Sequence, residues 1–157
     1  MTALLGFPNP VDEVSARLVA TGVVIEAGLA VALRSPLLAV TLWIGFVLRV
    51  ASGPRFSPLA LLVTRVIRPR LSIRPRPVPG TPKRFAQGVG ATFTTAVVVL
   101  LAIGASGAAW ALLGVLIVFA SLEAFVGFCM GCTAYRWLAH AGLVDECPDC
   151  DDISITT

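Results

Sequence analysis

Long apolar runs interrupted by short clusters of arginine, proline and glycine set the pattern of this chain. From Leu18 to Leu33 the only charged residue is Glu26, and the run would measure about 24 Å at the helical rise of roughly 1.5 Å per residue. Arg34-Ser35-Pro36 reads as a turn, after which Leu37 to Val47 is again apolar up to Arg49. Phe85 to Ala105 carries no charge, and Ala108 to Phe128 carries only Glu123. Runs this long and uniform read as membrane helices, whereas the core-facing segments of a soluble domain alternate with polar positions. The pattern therefore predicts an all-α polytopic membrane protein with four transmembrane helices in two hairpins, spanning about residues 14–33, 36–51, 85–105 and 108–128. The first two runs are short, so a re-entrant hairpin is the alternative there; either way the chain returns to the side it started from. Asn9-Pro10 followed by Asp12 and Glu13 predicts the first helix start, with Asn9 as cap, Pro10 at the first position and acids in the first turn.

Between the hairpins the pattern changes. Ser52 to Pro58 is a cluster of helix breakers, and Leu59, Leu62, Val63, Val66 and Ile67 then recur at helical spacing, which predicts an interfacial amphipathic helix. From Arg68 to Arg84 the prolines Pro69, Pro75, Pro77, Pro79 and Pro82 alternate with Arg68, Arg70, Arg74, Arg76, Lys83 and Arg84. That composition excludes a long helix or a buried strand and predicts an extended strap along anionic lipid headgroups. The expected organisation is a membrane domain over residues 1–143 with a basic loop at 52–84, then an acidic tail at 144–157.

Composition agrees with the bilayer as solvent: 57% of residues are hydrophobic and 13% charged, and the mean hydropathy is +0.89, far from the balance of soluble domains. Met1 to Pro10 has no basic residue ahead of the first apolar run, so no cleaved signal is expected. The net charge of +3 conceals an asymmetry, because Arg49 to Arg84 is basic with no acid, while Cys129 to Thr157 holds Asp145, Glu146, Asp149, Asp151 and Asp152 against Arg136. Basic loops stay in the cytoplasm. The expected localisation is thus a bacterial cell membrane, multi-pass, with both termini and the basic loop cytoplasmic and the Ser106-Gly107 turn outside. The expected partners are the lipid bilayer and its anionic headgroups, with no nucleic acid; a homodimer is also expected, since four short helices barely enclose a pathway. All but one of the 12 basic residues are arginine, a bias that a GC-rich genome explains.

Every cysteine falls in a CxxC pair, Cys129-Met130-Gly131-Cys132 or Cys147-Pro148-Asp149-Cys150. Two readings compete. Four thiolates at about this separation resemble a structural zinc site. Alternatively each pair is a dithiol that exchanges with a partner by thiolate attack, with Cys129 and Cys132 as the active pair and Cys147 and Cys150 as a shuttle or resolving pair. Gly127 and Gly131 could break the helix and leave Cys132 at the start of a new one from Thr133 to His140, which would lower its pKa and make it the nucleophile. His140 itself reads as solvated. Acids inside a span cost roughly 2.5–3.5 kcal/mol and usually face the bundle. Glu26, with Gly22 and Ala30 a turn away, points to helix assembly; Glu123, about 9 Å above Cys129 along a helix, points to an ion pair with Arg49 or to proton handling for the thiols.

At Gly53-Pro-Arg-Phe-Ser-Pro-Leu59, Pro79-Gly-Thr-Pro-Lys-Arg-Phe-Ala86 and Phe128-Cys-Met-Gly-Cys-Thr-Ala-Tyr135 the chain resembles an uncharacterised family of small bacterial membrane proteins, domain of unknown function 4395, from about Val11 to Leu143. The family has no established reaction. Its members tend to occur beside thioredoxin-like and sulfurtransferase proteins, so the resemblance implies thiol or sulfur chemistry carried by Cys129 and Cys132. The resulting expectation is a membrane thiol protein without a cofactor, performing thiol–disulfide exchange or sulfur transfer with such a cytoplasmic partner. The alternatives are a zinc-binding scaffold using Cys129, Cys132, Cys147 and Cys150, and a small-solute transporter built on Glu26 and Glu123.

Overall fold

The computed structural model describes residues 10–144. Four helical segments, Glu13–Ala32, Pro36–Arg70, Gly80–Ala102 and Ser106–Val126, are long and apolar enough to cross a membrane; they are built on α1 (Glu13–Ala32), α2 (Pro36–Ser52), α5 (Gly80–Ala102) and α6 (Ser106–Ser121). At 20 residues α1 measures about 30 Å, the thickness of a hydrocarbon core. The helices close a ring in which α2 packs on α5, α5 on α6, α6 on α1 and α1 on α2. Their common core is made of Val23, Ala27, Ala30, Ala39, Leu42, Phe46, Val97, Ala109, Trp110, Leu113 and Leu116. Alanines at the contacts let the backbones approach, the usual solution where lipid removes the hydrophobic drive between helices. Gly90 has no Cβ because the Phe46 ring occupies that space. The outer surface is apolar too, with Ile25, Leu29, Leu37, Val99, Ile103 and Val118 exposed. A soluble protein does not present such a face on every side; the fold is that of an all-α polytopic membrane protein.

Two polar contacts tie the helices inside this apolar setting. Thr41 Oγ1 donates to Glu26 Oε1 at 2.8 Å, and Trp43 Nε1 donates to Thr95 Oγ1 at 2.8 Å. Gly22, expected to admit a neighbouring span beside Glu26, instead receives Leu59, whose Cδ1 lies 2.5 Å from where a Cβ would stand.

The linker between the hairpins departs from the expected strap. After a 3₁₀ turn at Gly53–Arg55, α3 (Pro58–Leu62) runs through a π-helical turn at Val63–Ile67 into α4 (Arg68–Arg70). Ala60 and Val63 bury themselves beside Val19 of α1, so this segment packs on the bundle. Residues 71–76 form neither helix nor strand, and β2 (Pro77–Val78) then pairs antiparallel with β1 (Val11–Asp12), Val11 opposite Val78. That ladder moves the first cap. Asp12, not Asn9, caps α1, accepting from the Ser15 N–H at 3.2 Å and the Ser15 hydroxyl at 2.8 Å; Asn9 lies outside the described residues. Arg68 Nε also donates to Asp12 at 2.6 Å. Burial opposes ionisation of this carboxyl, but the hydrogen bonds from Arg68, Ser15 and the Arg76 N–H outweigh it and hold the pKa at about 2.

The strap also ends sooner than its prolines suggest. α5 begins at Gly80, so Pro82 and Lys83 belong to its first turn and are buried. A proline there removes no intrahelical hydrogen bond, because the first four N–H groups of a helix have no partner within it.

Candidate functional site

The thiols sit where three helix ends meet. The fourth span closes in a π-helical turn, Leu122–Val126, and stops at Gly127 with φ +78°, a left-handed conformation that a Cβ penalises. The N–H groups of Gly127 and Phe128 return to the carbonyls of Glu123 and Leu122. Two more terminal carbonyls, of Ala124 and Phe125, are taken by Arg17 Nε at 3.1 Å and Nη2 at 2.9 Å. The chain then reverses into α7 (Met130–His140). α7 lies against the start of α5: the Gly131 backbone sits so close to Ala86 that a Cβ on Gly131 would fall 2.6 Å from the Ala86 Cα, and the Phe85 and Tyr135 rings stand 5.5 Å apart.

This break corrects the expected start of the last helix. The new helix starts at Met130, not Thr133, so Cys129 is its N-cap and Cys132 lies in its first turn. Cys129 Sγ accepts the Cys132 backbone N–H at 3.2 Å, taking the place a serine or aspartate oxygen fills in an ordinary cap. The Cys132 side chain favours the Cys129 thiolate by hydrogen bonding; desolvation and the Glu123 carboxylate oppose it, while the Lys83 ammonium and the Cys132 N–H add to it, and the Cys129 pKa falls below the usual thiol value. Cys132 is pushed well above that value, first because it is the hydrogen-bond donor to Cys129, then by burial and by the Cys129 charge. Both thiols are free and partly buried.

Glu123 does not pair with Arg49, as its position suggested; it meets Lys83, whose Nζ lies 2.6 Å from its Oε1. The pair is well enclosed, with side chains 10% and 16% exposed. Lys83 is a site residue that motif and spacing do not single out. It is the only lysine among 12 basic residues, in a chain where arginine bias explains all the others, and that exception was the available signal. An ammonium is a compact charge that a guanidinium does not replace. Glu26 sits elsewhere, at mid-span against Thr41, and His140 is the exposed last residue of α7. Cys147 and Cys150 lie outside the described residues; among the described residues no three His, Cys, Asp or Glu side chains gather as a metal site would require.

Four apolar spans closed by a cysteine-capped helix define a small polytopic membrane protein. Over residues 11–140 the chain matches the model of a family described as a domain of unknown function, DUF4395, and it belongs to that family. No curated protein and no solved structure matches it.

Proposed function

We propose that the protein is a membrane thiol oxidoreductase that exchanges disulfides with a thioredoxin-like partner, with Cys129 as nucleophile and Cys132 as resolving thiol. The observation that carries this reading is the cap: Cys129 Sγ accepts the Cys132 N–H at the positive end of α7, where a thiolate is favoured. Cys129 attacks one sulfur of the partner's disulfide, forming a mixed disulfide and expelling the other sulfur as a thiolate. Cys132 then gives up its proton, which passes to that thiolate, and attacks Cys129 Sγ, releasing the partner's second sulfur. Two electrons pass to the partner, and Cys129 and Cys132 are left as a disulfide. Lys83 is a positioning residue whose charge favours the thiolate, and Glu123 moderates Lys83.

The basic residues of the segment 49–84, which itself contains no acid, support placing this end of the bundle, with both termini, in the cytoplasm of a cell membrane. The transporter reading has less support, because Glu26 and Glu123 each have a local partner. The zinc reading depends on Cys147 and Cys150 joining the first pair.

The test is trapping. Purified Cys132→Ser should accumulate a mixed disulfide with an oxidised thioredoxin-like protein, while Cys129→Ser should not. The opposite pattern would reverse the roles. Stoichiometric zinc, lost on replacing any one of the four cysteines, would replace the redox reading with the structural-metal one.

A further inference from the structure

Lys83 faces a second feature. A cavity of about 210 Å³ opens between the start of α1, the end of α2, α3 and the start of α5; its polar wall is Asp12, Ser15, Arg49, Thr64, Lys83 and Gln87. Arg49 is 4% exposed, yet its Nε and Nη1 have no acceptor among the described residues. The Phe46 ring lies 4.3 Å from its guanidinium carbon, which fixes the group without satisfying its N–H donors. The nearby acids are engaged, Asp12 by Arg68 and Glu123 by Lys83; Glu26 and Glu123 attract Arg49 only from beyond ion-pair distance. Gln87 Oε1 is also buried without a partner among the described residues. A guanidinium taken out of water needs acceptors, and one buried without them is costly.

Among the described residues the two ion pairs cancel, leaving one uncompensated positive charge, on Arg49, in the cavity wall. We infer that the cavity is a binding site for a small oxyanion carrying a single negative charge, with Arg49 donating to its charged oxygens and Gln87 Oε1 accepting from a hydroxyl that the bound group keeps, as dihydrogen phosphate does. The oxygens of such an anion supply the acceptors that Arg49 lacks. The volume suits a group of a few heavy atoms. A free oxyanion and the phosphate of an anionic lipid headgroup share this chemistry. Neither Cys129 nor Cys132 lines the cavity, and the inference does not rest on thiol exchange.

The experiment follows thermal unfolding of the full chain in a non-ionic detergent at low salt, titrated with inorganic phosphate, and in parallel the protein in nanodiscs of phosphatidylglycerol or phosphatidylcholine. Wild type should be stabilised saturably by phosphate. Arg49→Met should bind at least roughly tenfold more weakly, as expected for losing hydrogen bonds to a charged group, and should melt no lower than wild type without anion, because it removes a buried unpaired charge. Stabilisation by phosphatidylglycerol but not by phosphate, absent in Arg49→Met, would support the site and identify the headgroup as the source. A wild type indifferent to both, or an Arg49→Met variant that responds as wild type does, would overturn the inference. Should Arg49→Met fail to fold, Gln87→Leu reads the same wall, and an undiminished anion response there would overturn it equally.

Discussion

Replacing Lys83 with Met removes one half of an enclosed ion pair and should be felt in both stability and thiol reactivity. At the 2.6 Å separation of Nζ and Oε1 the attraction is about 6 kcal/mol at an effective dielectric constant near 20, offset largely by the hydration both groups gave up. The net worth of the pair is therefore small, but loss of one partner leaves Glu123 uncompensated among apolar neighbours, at a cost of about 3–5 kcal/mol. Lys83→Met should be destabilised by that amount, and Lys83→Met/Glu123→Leu should recover most of it because both charges are gone. Unfolding in detergent measures the cycle. The thiol readout is the pH profile of alkylation in a Cys147→Ser/Cys150→Ser background. Lys83 favours the Cys129 thiolate and Glu123 opposes it, so Lys83→Met should move the Cys129 midpoint up and Glu123→Gln should move it down. Midpoints that shift in the same direction, or that do not move, would refute the assignment of Lys83 as the charge acting on Cys129. A double variant as unstable as Lys83→Met would refute the ion-pair account of stability.

Gly127→Ala forces a Cβ into a backbone at φ +78° and should cost about 1–2 kcal/mol, read by the same unfolding assay. Gly131→Val drives a side chain into the Ala86 backbone; overpacking of about 1–3 kcal/mol should loosen α7 from α5 and speed alkylation of Cys132. The Asp12 carboxyl is depressed from 3.8 to about 2, so it contributes stability above pH 3.8 that is lost as pH falls towards 2. The stability difference between wild type and Asp12→Asn should accordingly shrink across that window in acid titrations. In a cysteine-free background, a cysteine at position 106 should label from outside intact cells and one at position 74 should not; the reverse would invert the proposed orientation.

The four spans were legible because the bilayer imposes a one-dimensional requirement. A helix crossing about 30 Å of hydrocarbon needs roughly 20 nearly continuous apolar residues, and that condition can be read residue by residue. The helix break at Gly127 was also legible, since a glycine at a span's edge beside a polar cluster invites a left-handed stop. The register of α7 was not. Whether Cys129 or Cys132 would occupy the cap depended on where α7 could dock, and that was decided by the close approach of Gly131 to Ala86.

The start of α5 shows the same division. Its prolines read as a strap, because local preference alone disfavours helix there; packing of Pro82 and Lys83 into the bundle, in the first turn where proline is tolerated, drew the helix back to Gly80. The pairing of Lys83 with Glu123 joins residues 40 positions apart. Which segments face lipid follows from each apolar run alone, because solvent acts on each helix separately. Which charges meet depends instead on the packing of distant helices, since a buried charge takes whichever partner is brought within reach and, like Arg49, has no acceptor among the described residues when packing brings none.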